Sequence, residues 1–283
     1  MRTILTFLLL TSAAFSQLII GLKPDKDQFV AHEAVTLTLS ITNRAGKTIT
    51  LQGHDRKNWL DFNLYNQEGN LLPYKGAAPT FKAVKIAAGQ TVQKKIEISD
   101  FYNLTRFGNF KAQALVKLPN SNSAISSKNV LFLITNGRTL FSQKIGLPNT
   151  GSARKYEVIQ FNGSKTTEIY VKTTNEYTGR VTSCEALSAI QTFRDPKAAL
   201  DKHNHLHLLY LITPTLYIHH VVAPTGSVIK RNYHKQGAYG SPRLESFSNG
   251  EVKVAGTIPV DPNKAKKAAS EQRKASDRPK VTF

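Results

Sequence analysis

Apolar and polar residues alternate along most of the first half of this chain, and strict alternation is the pattern of a half-buried β-strand. Val35, Leu37, Leu39 and Ile41 are interleaved with threonine and serine, so one face of that strand is buried and the other is wet. Leu60, Phe62 and Leu64 repeat the pattern before the turn-forming run Asn66-Gln67-Glu68-Gly69-Asn70. Val92, Ile96 and Ile98 continue it after Gly89, Phe110, Ala112, Ala114 and Val116 form a further alternating strand, and Val130 to Ile134 is a more fully apolar one. Short strands separated by turn residues, with no long helical period, predict two packed antiparallel sheets. The expected element is a β-sandwich over residues 17–137.

A second unit is expected over 138–260, after Asn136-Gly137-Arg138. Tyr156 to Phe161 and Thr167 to Lys172 read as a hairpin, with Asn162-Gly163 supplying the positive φ angles of a tight turn. Leu206 to Leu211 and Leu216 to Val222 are joined through Thr213-Pro214-Thr215, and Pro224-Thr225-Gly226 leads to Val228 to Tyr233. Asn249-Gly250 marks one more hairpin, between Leu244 to Phe247 and Val252 to Val254. Only Glu185 to Phe193 has the spacing of a short helix. The fold class is therefore all-β, a sandwich followed by a small antiparallel β-meander domain.

The two ends differ from this body. Arg2, the apolar run Ile4 to Leu10 and the small residues Ala14 and Ser16 have the layout of a secretory signal peptide over residues 1–16, cleaved before Gln17. No other apolar segment approaches the roughly 20 residues that span a bilayer. Residues 261–283 carry seven basic and three acidic side chains and little to bury, which predicts a flexible basic tail. The leader places the mature chain in a periplasm or outside the cell, and with one cysteine, Cys184, no internal disulfide can form there. A lipoprotein anchor is excluded, because the leader holds no cysteine to acylate.

The formal charge is +19, spread along the chain. Such a surface attracts polyanions, but charge alone specifies none of them. No nucleic-acid motif accompanies it, which favours an anionic envelope polymer or a protein as partner.

The order Leu22-x-Pro24-x-Lys26, Glu33-x-Val35, Ile41-x-Asn43 and Tyr102-x-Leu104-x-x-x-Gly108-x-Phe110 resembles bacterial immunoglobulin-like domains, including those similar to the intracellular proteinase inhibitor family. The resemblance implies that Tyr102 ties a corner through its hydroxyl and that Gly108 lets the chain swing into the next strand. Asp201-x-x-x-x-Leu206-His207-x-Leu209-Tyr210, followed by Tyr217, Gly226 and Arg231, is similar to a single blade of sialidase-type β-propellers. The arginine cluster and acid–tyrosine pair of sialidase catalysis cannot be assigned on it.

Six of the eight histidines lie between His203 and His234. On a strand, His203, His205 and His207 share one side, and a hairpin pairing Leu206 to Tyr210 with Leu216 to His220 sets His207 opposite His219. Two facing imidazoles suit zinc or copper, with His205, Asp201 or His234 as a third donor, so His207, His219 and His205 are the candidate metal ligands. The compact HExxH motif is absent, as is the Gly-x-Ser-x-Gly nucleophile turn. Cys184 reads as a buried thiol and Trp59 as a core residue. The functional expectation is a non-catalytic binding, adhesion or envelope-associated protein with no cofactor. The alternatives are a metal-dependent or carbohydrate-active enzyme built on the histidine-rich half, and a proteinase-inhibitor-like module.

Overall fold

The computed structural model describes residues 18–53, 58–118, 123–147, 152–238, 240–261 and 263–264. The expected leader and nearly all of the expected tail lie outside the described residues. The chain divides into two compact units, the first holding 18–27, 35–103 and 108–132, the second 28–34, 104–107 and everything from 133 onward. Residues 28–34 and 104–107, which the sequence places in the middle of the first half, thus belong to the second unit.

The strands are β1 (Leu18–Pro24), β2 (Gln28–Val30), β3 (Thr36–Asn43), β4 (Ile49–Leu51), β5 (Leu60–Tyr65), β6 (Val84–Ile86), β7 (Thr91–Glu97), β8 (Gly108–Lys117), β9 (Ala124–Ser126) and β10 (Val130–Thr135). They continue as β11 (Arg138–Gly146), β12 (Ala153–Asn162), β13 (Thr167–Asn175), β14 (Val181–Ala189), β15 (Lys197–Leu200), β16 (Leu206–Thr213) and β17 (Leu216–Val222). The last four are β18 (Val228–Gln236), β19 (Arg243–Ser246), β20 (Val252–Ala255) and β21 (Thr257–Val260). The fold is all-β, and among the described residues no helix is long and apolar enough to cross a membrane.

In the first unit, β1, β3 and β7 form one antiparallel sheet, and β5 and β8 belong to a second with β9 on the far end of β8. The alternation seen in the sequence is the alternation of burial. Leu37, Leu39 and Ile41 of β3 and Phe62, Leu64, Phe110, Ala112 and Ala114 of the other sheet are inside, their neighbours half-exposed. Trp59 is core, 2% exposed, with its indole N–H shared between the carbonyls of Phe81 and Lys82. Tyr102, in the crossover between β7 and β8, donates its hydroxyl to the carbonyl of Phe62 at 2.7 Å. Gly108 begins β8 at φ +132°, a backbone region open to glycine.

The second unit is itself a two-layer sandwich. One layer is the meander β11-β12-β13-β14 and the other is β15-β16-β17-β18 closed by β21. Tyr156, Val158, Ile169, Val171 and Leu187 of the first layer pack against Leu206, Leu208, Tyr210, Ile218 and Val222 of the second. The blade-like segment therefore builds a sandwich layer.

Three local expectations change. Of residues 185–193, read as a short helix, 185–189 are the end of β14 and 190–193 are not helical. Leu187 faces the core while Glu185 pairs with Val171, and sheet pairing overrides a short helical period that nothing nucleates. The β12–β13 connection is a four-residue loop closed by the Gly163 N–H to the Thr166 carbonyl, and neither Asn162 nor Gly163 takes a positive φ. His203 and His205 precede β16 and lie in a loop, because the strand begins at Leu206.

Removing the Tyr102 hydroxyl leaves the Phe62 carbonyl without its buried donor. Tyr102→Phe should lower unfolding free energy by about 1–3 kcal/mol in chemical denaturation. Tyr177→Phe, at a residue 88% exposed, should change it by less than about 0.5 kcal/mol.

Candidate functional site

β16 and β17 are apolar on both faces because both faces are covered. Leu206, Leu208 and Tyr210 point into the sandwich, whereas Leu209, Leu211 and Tyr217 point outward under Leu244 and Val254 of the β19–β20 hairpin. His207 and His219 share this outer face, and so does His234 on β18, which is registered with Tyr217. All three are buried. The hairpin register is shifted by two residues from the expected one. His207 pairs with Val221 and His219 with Leu209, so the two histidines are diagonal neighbours. Diagonal neighbours remain within reach of long side chains, and His207 Nδ1 lies 3.1 Å from His219 Nε2.

The loop before β16 gathers the other end of the cluster. Asn204 takes φ +61°, a conformation that asparagine tolerates, and tightens the 201–205 turn around the Asp201 carboxylate. Asp201 Oδ1 accepts the backbone N–H groups of His203 and His205, both at 2.8 Å. Its Oδ2 faces His205 Nδ1 at 3.1 Å and His207 Nε2 at 3.3 Å. Burial alone would raise the Asp201 pKa. The hydrogen bonds from His205, His207 and His203 outweigh it and hold the carboxyl below the ordinary range.

The imidazoles are held neutral. Burial, then the nearby His207, His234 and Lys230, pushes the pKa of His219 down to about 3. Burial also lowers His234, and it lowers His207 despite the opposing pull of Asp201. With Nε2–H of His207 donated to Asp201, its Nδ1 accepts Nε2–H from His219, which makes a chain of carboxylate, imidazole and imidazole. His234 Nδ1 is 3.1 Å from the Thr257 hydroxyl, and its Nε2 is buried with no hydrogen-bond partner.

Of the predicted ligands the fold thus joins His207 and His219 and turns His205 away onto Asp201. Among the described residues, no three histidine, cysteine, aspartate or glutamate side chains are placed to hold a metal ion. Asp201 occupies the ring nitrogen of His207 opposite His219, so it cannot share an ion placed between those two rings. His220, on the inner face, accepts Arg231 Nε at 2.9 Å and continues through the Tyr210 hydroxyl to Ser188. Burial and Arg231 push its pKa down to about 3. Cys184 is buried, and burial raises its thiol to about 12, far from a nucleophile's range.

An open cleft of about 280 Å³ lies elsewhere on the second unit, lined by Gln28, Thr135, Asn136, Gly137, Arg138, Gln160, Phe161 and Asn162. The sequence did not point to it. Its walls come from three separate segments, and no motif joins a glutamine at the start of β2 to an asparagine at the end of β12.

No known family model matches the sequence, and no curated protein matches it. Among solved structures, the sporulation control protein Spo0M of Bacillus subtilis is similar over 62% of this chain and 91% of its own, at 9% identity and a TM-score of 0.28. The periplasmic chaperone SfaE is similar over 59% of this chain and 98% of its own, at 12% identity and a TM-score of 0.24.

The buried histidines make stability fall in acid. Their pKa values are lower folded than the ordinary 6.5 of an exposed histidine, so below that pH the unfolded chain binds more protons. Their contribution is complete above about pH 6.5 and is lost as the pH falls toward the folded value of about 3. Unfolding free energy measured in urea should drop between pH 6 and pH 4 by about 1.4 kcal/mol per pH unit for each such imidazole. His219→Leu should reduce that slope by about one proton's worth, whatever it does to stability at pH 7.

Proposed function

We propose that this chain is an exported, non-catalytic binding protein of the cell envelope. One observation carries the reading, namely that the paired imidazoles are buried away from the open cleft on the second unit. The neutral imidazoles of His207, His219 and His234 are buried on the face that carries Leu209, Leu211 and Tyr217, under the β19–β20 hairpin. The open cleft around Gly137 offers amides, a hydroxyl and one guanidinium, and neither a carboxylate nor an imidazole lines it. Such a lining suits recognition by hydrogen bonds and lacks the paired acid and base that hydrolysis requires.

Two further features support the reading. Residues 1–16 have the layout of an export leader, and the formal charge of +19 draws anionic polymers to the surface. The Tyr102 hydrogen bond to Phe62 and the positive φ of Gly108 support an immunoglobulin-like first unit, an architecture used widely for adhesion.

The test is binding of the mature chain to immobilised acidic and neutral polysaccharides across a salt series. Acidic polymers should bind at low salt, with log affinity falling linearly against log salt, and deletion of residues 261–283 should make that line shallower. Absence of binding to every acidic polymer at low salt, or turnover of one of them, would overturn the proposal.

A further inference from the structure

We propose, resting on the binding reading above, that the Gln28–Arg138–Asn162 cleft is a recognition site for a carboxylated sugar residue, of the hexuronate type, within an acidic polysaccharide. The argument starts from hydrogen-bonding capacity that the protein leaves unused. Asn162 Oδ1 accepts the Thr167 hydroxyl at 3.0 Å and faces Gln160 Nε2 at 3.5 Å, which fixes the amide so that its Nδ2 retains two free N–H donors. Among the described residues the side-chain amides of Gln28 and Asn136 have no partner. Thr135 adds a hydroxyl that donates or accepts. Such a ring of amides and a hydroxyl matches a ligand carrying several hydroxyl groups, each able to donate and accept.

The charge in the cleft is equally unbalanced. Arg138 is its one ionised group, and the guanidinium meets only Asp195 at 3.8 Å, with both side chains at least 70% exposed. A pair so long and so wet contributes little. The planar fork of arginine suits bidentate pairing with a carboxylate. A single guanidinium balances a single carboxylate, whereas a phosphodiester backbone needs a row of cations, and no lysine lines this cleft.

The walls are rigid enough to select a shape. Phe161 is 4% exposed and held edge-on against Tyr170, centroids 6.0 Å apart at 90°, so its ring belongs to the core and fixes the floor of the cleft from beneath, leaving recognition to the polar rim. The backbone at Gly137 lies hard against β12. A Cβ there would come within 2.4 Å of Ile159 Cγ2 and 2.5 Å of the Gln160 carbonyl oxygen, so the two edges of the cleft are brought together only because residue 137 is glycine. The cleft lies just below the 300–1,000 Å³ range usual for small-molecule pockets, which suits one sugar ring with its neighbours left in solvent.

The experiment is calorimetric titration of the mature protein with an oligogalacturonate and with the neutral oligogalactoside of equal length. It is run in about 0.5 M salt, where surface fields decay within a few ångströms. The wild type should prefer the acidic oligomer at least about tenfold. Arg138→Gln should erase that preference and leave thermal stability unchanged, and Gln28→Ala should weaken both oligomers together. Deletion of residues 261–283 should leave high-salt binding intact.

Equal affinity for the two oligomers, or an Arg138→Gln variant that still discriminates, overturns the proposal. So does tighter binding of an oligonucleotide or a polyphosphate at the same salt. Salt-sensitive adsorption of acidic polymers at low salt, with no preference for the acidic oligomer in about 0.5 M salt, would sink the cleft and leave the binding reading standing. No acidic binding at any salt would sink both.

Discussion

The second unit depends on covering one pair of strands on both faces. β16 and β17 are buried along almost their entire length, so neither side can be left to water. The β11–β14 layer covers the inner face and the β19–β20 hairpin packs on Leu209, Leu211 and Tyr217 of the outer one. Each fully buried leucine of this size is worth about 1.5–3 kcal/mol relative to exposure. The remaining strands are arranged around that requirement, including β21, which returns beyond the hairpin to pair with β18.

Burying the central hairpin also buries its histidines, and that determines their chemistry. A neutral imidazole is tolerated in an apolar layer where a cation is not. His207 is oriented by Asp201 and joined to His219, and His220 is joined to Arg231 and Tyr210 on the opposite face. The two networks keep polar atoms satisfied inside an otherwise hydrophobic stack. The orphaned Nε2 of His234 is the exception in the outer network. Polar burial here comes at the expense of stability in acid.

The open cleft follows the opposite logic. Its polar lining is drawn from strand ends and connections, where, the core residue Phe161 apart, side chains need not serve a core. The β16–β17 sandwich thus carries the fold of the second unit, and the proposed recognition site draws on other residues, those of the rim around Gly137.

The strands were legible because alternation depends only on which side of a sheet is wet. Val35 to Ile41, Leu60 to Leu64 and Phe110 to Val116 each became a strand with the burial that their pattern announces. Trp59 and Cys184 were also readable, since a lone tryptophan and an apolar thiol have few physical alternatives, and the resemblance to immunoglobulin-like domains pointed to the hydroxyl bond of Tyr102. Residues 185–189 misled, because a short helical spacing carries little weight against pairing with β13. The histidine register was off by two residues, since the face of a side chain is fixed by parity and its partner by the turn. The sequence by itself determined an all-β chain, its alternating strands and the gathering of six histidines between His203 and His234. Tertiary structure alone decided that His207 meets His219 diagonally, that His205 turns to Asp201, and that Gln28, Arg138 and Asn162 share a cleft. Those contacts join segments up to more than a hundred residues apart, and local periodicity contains no information about such distances.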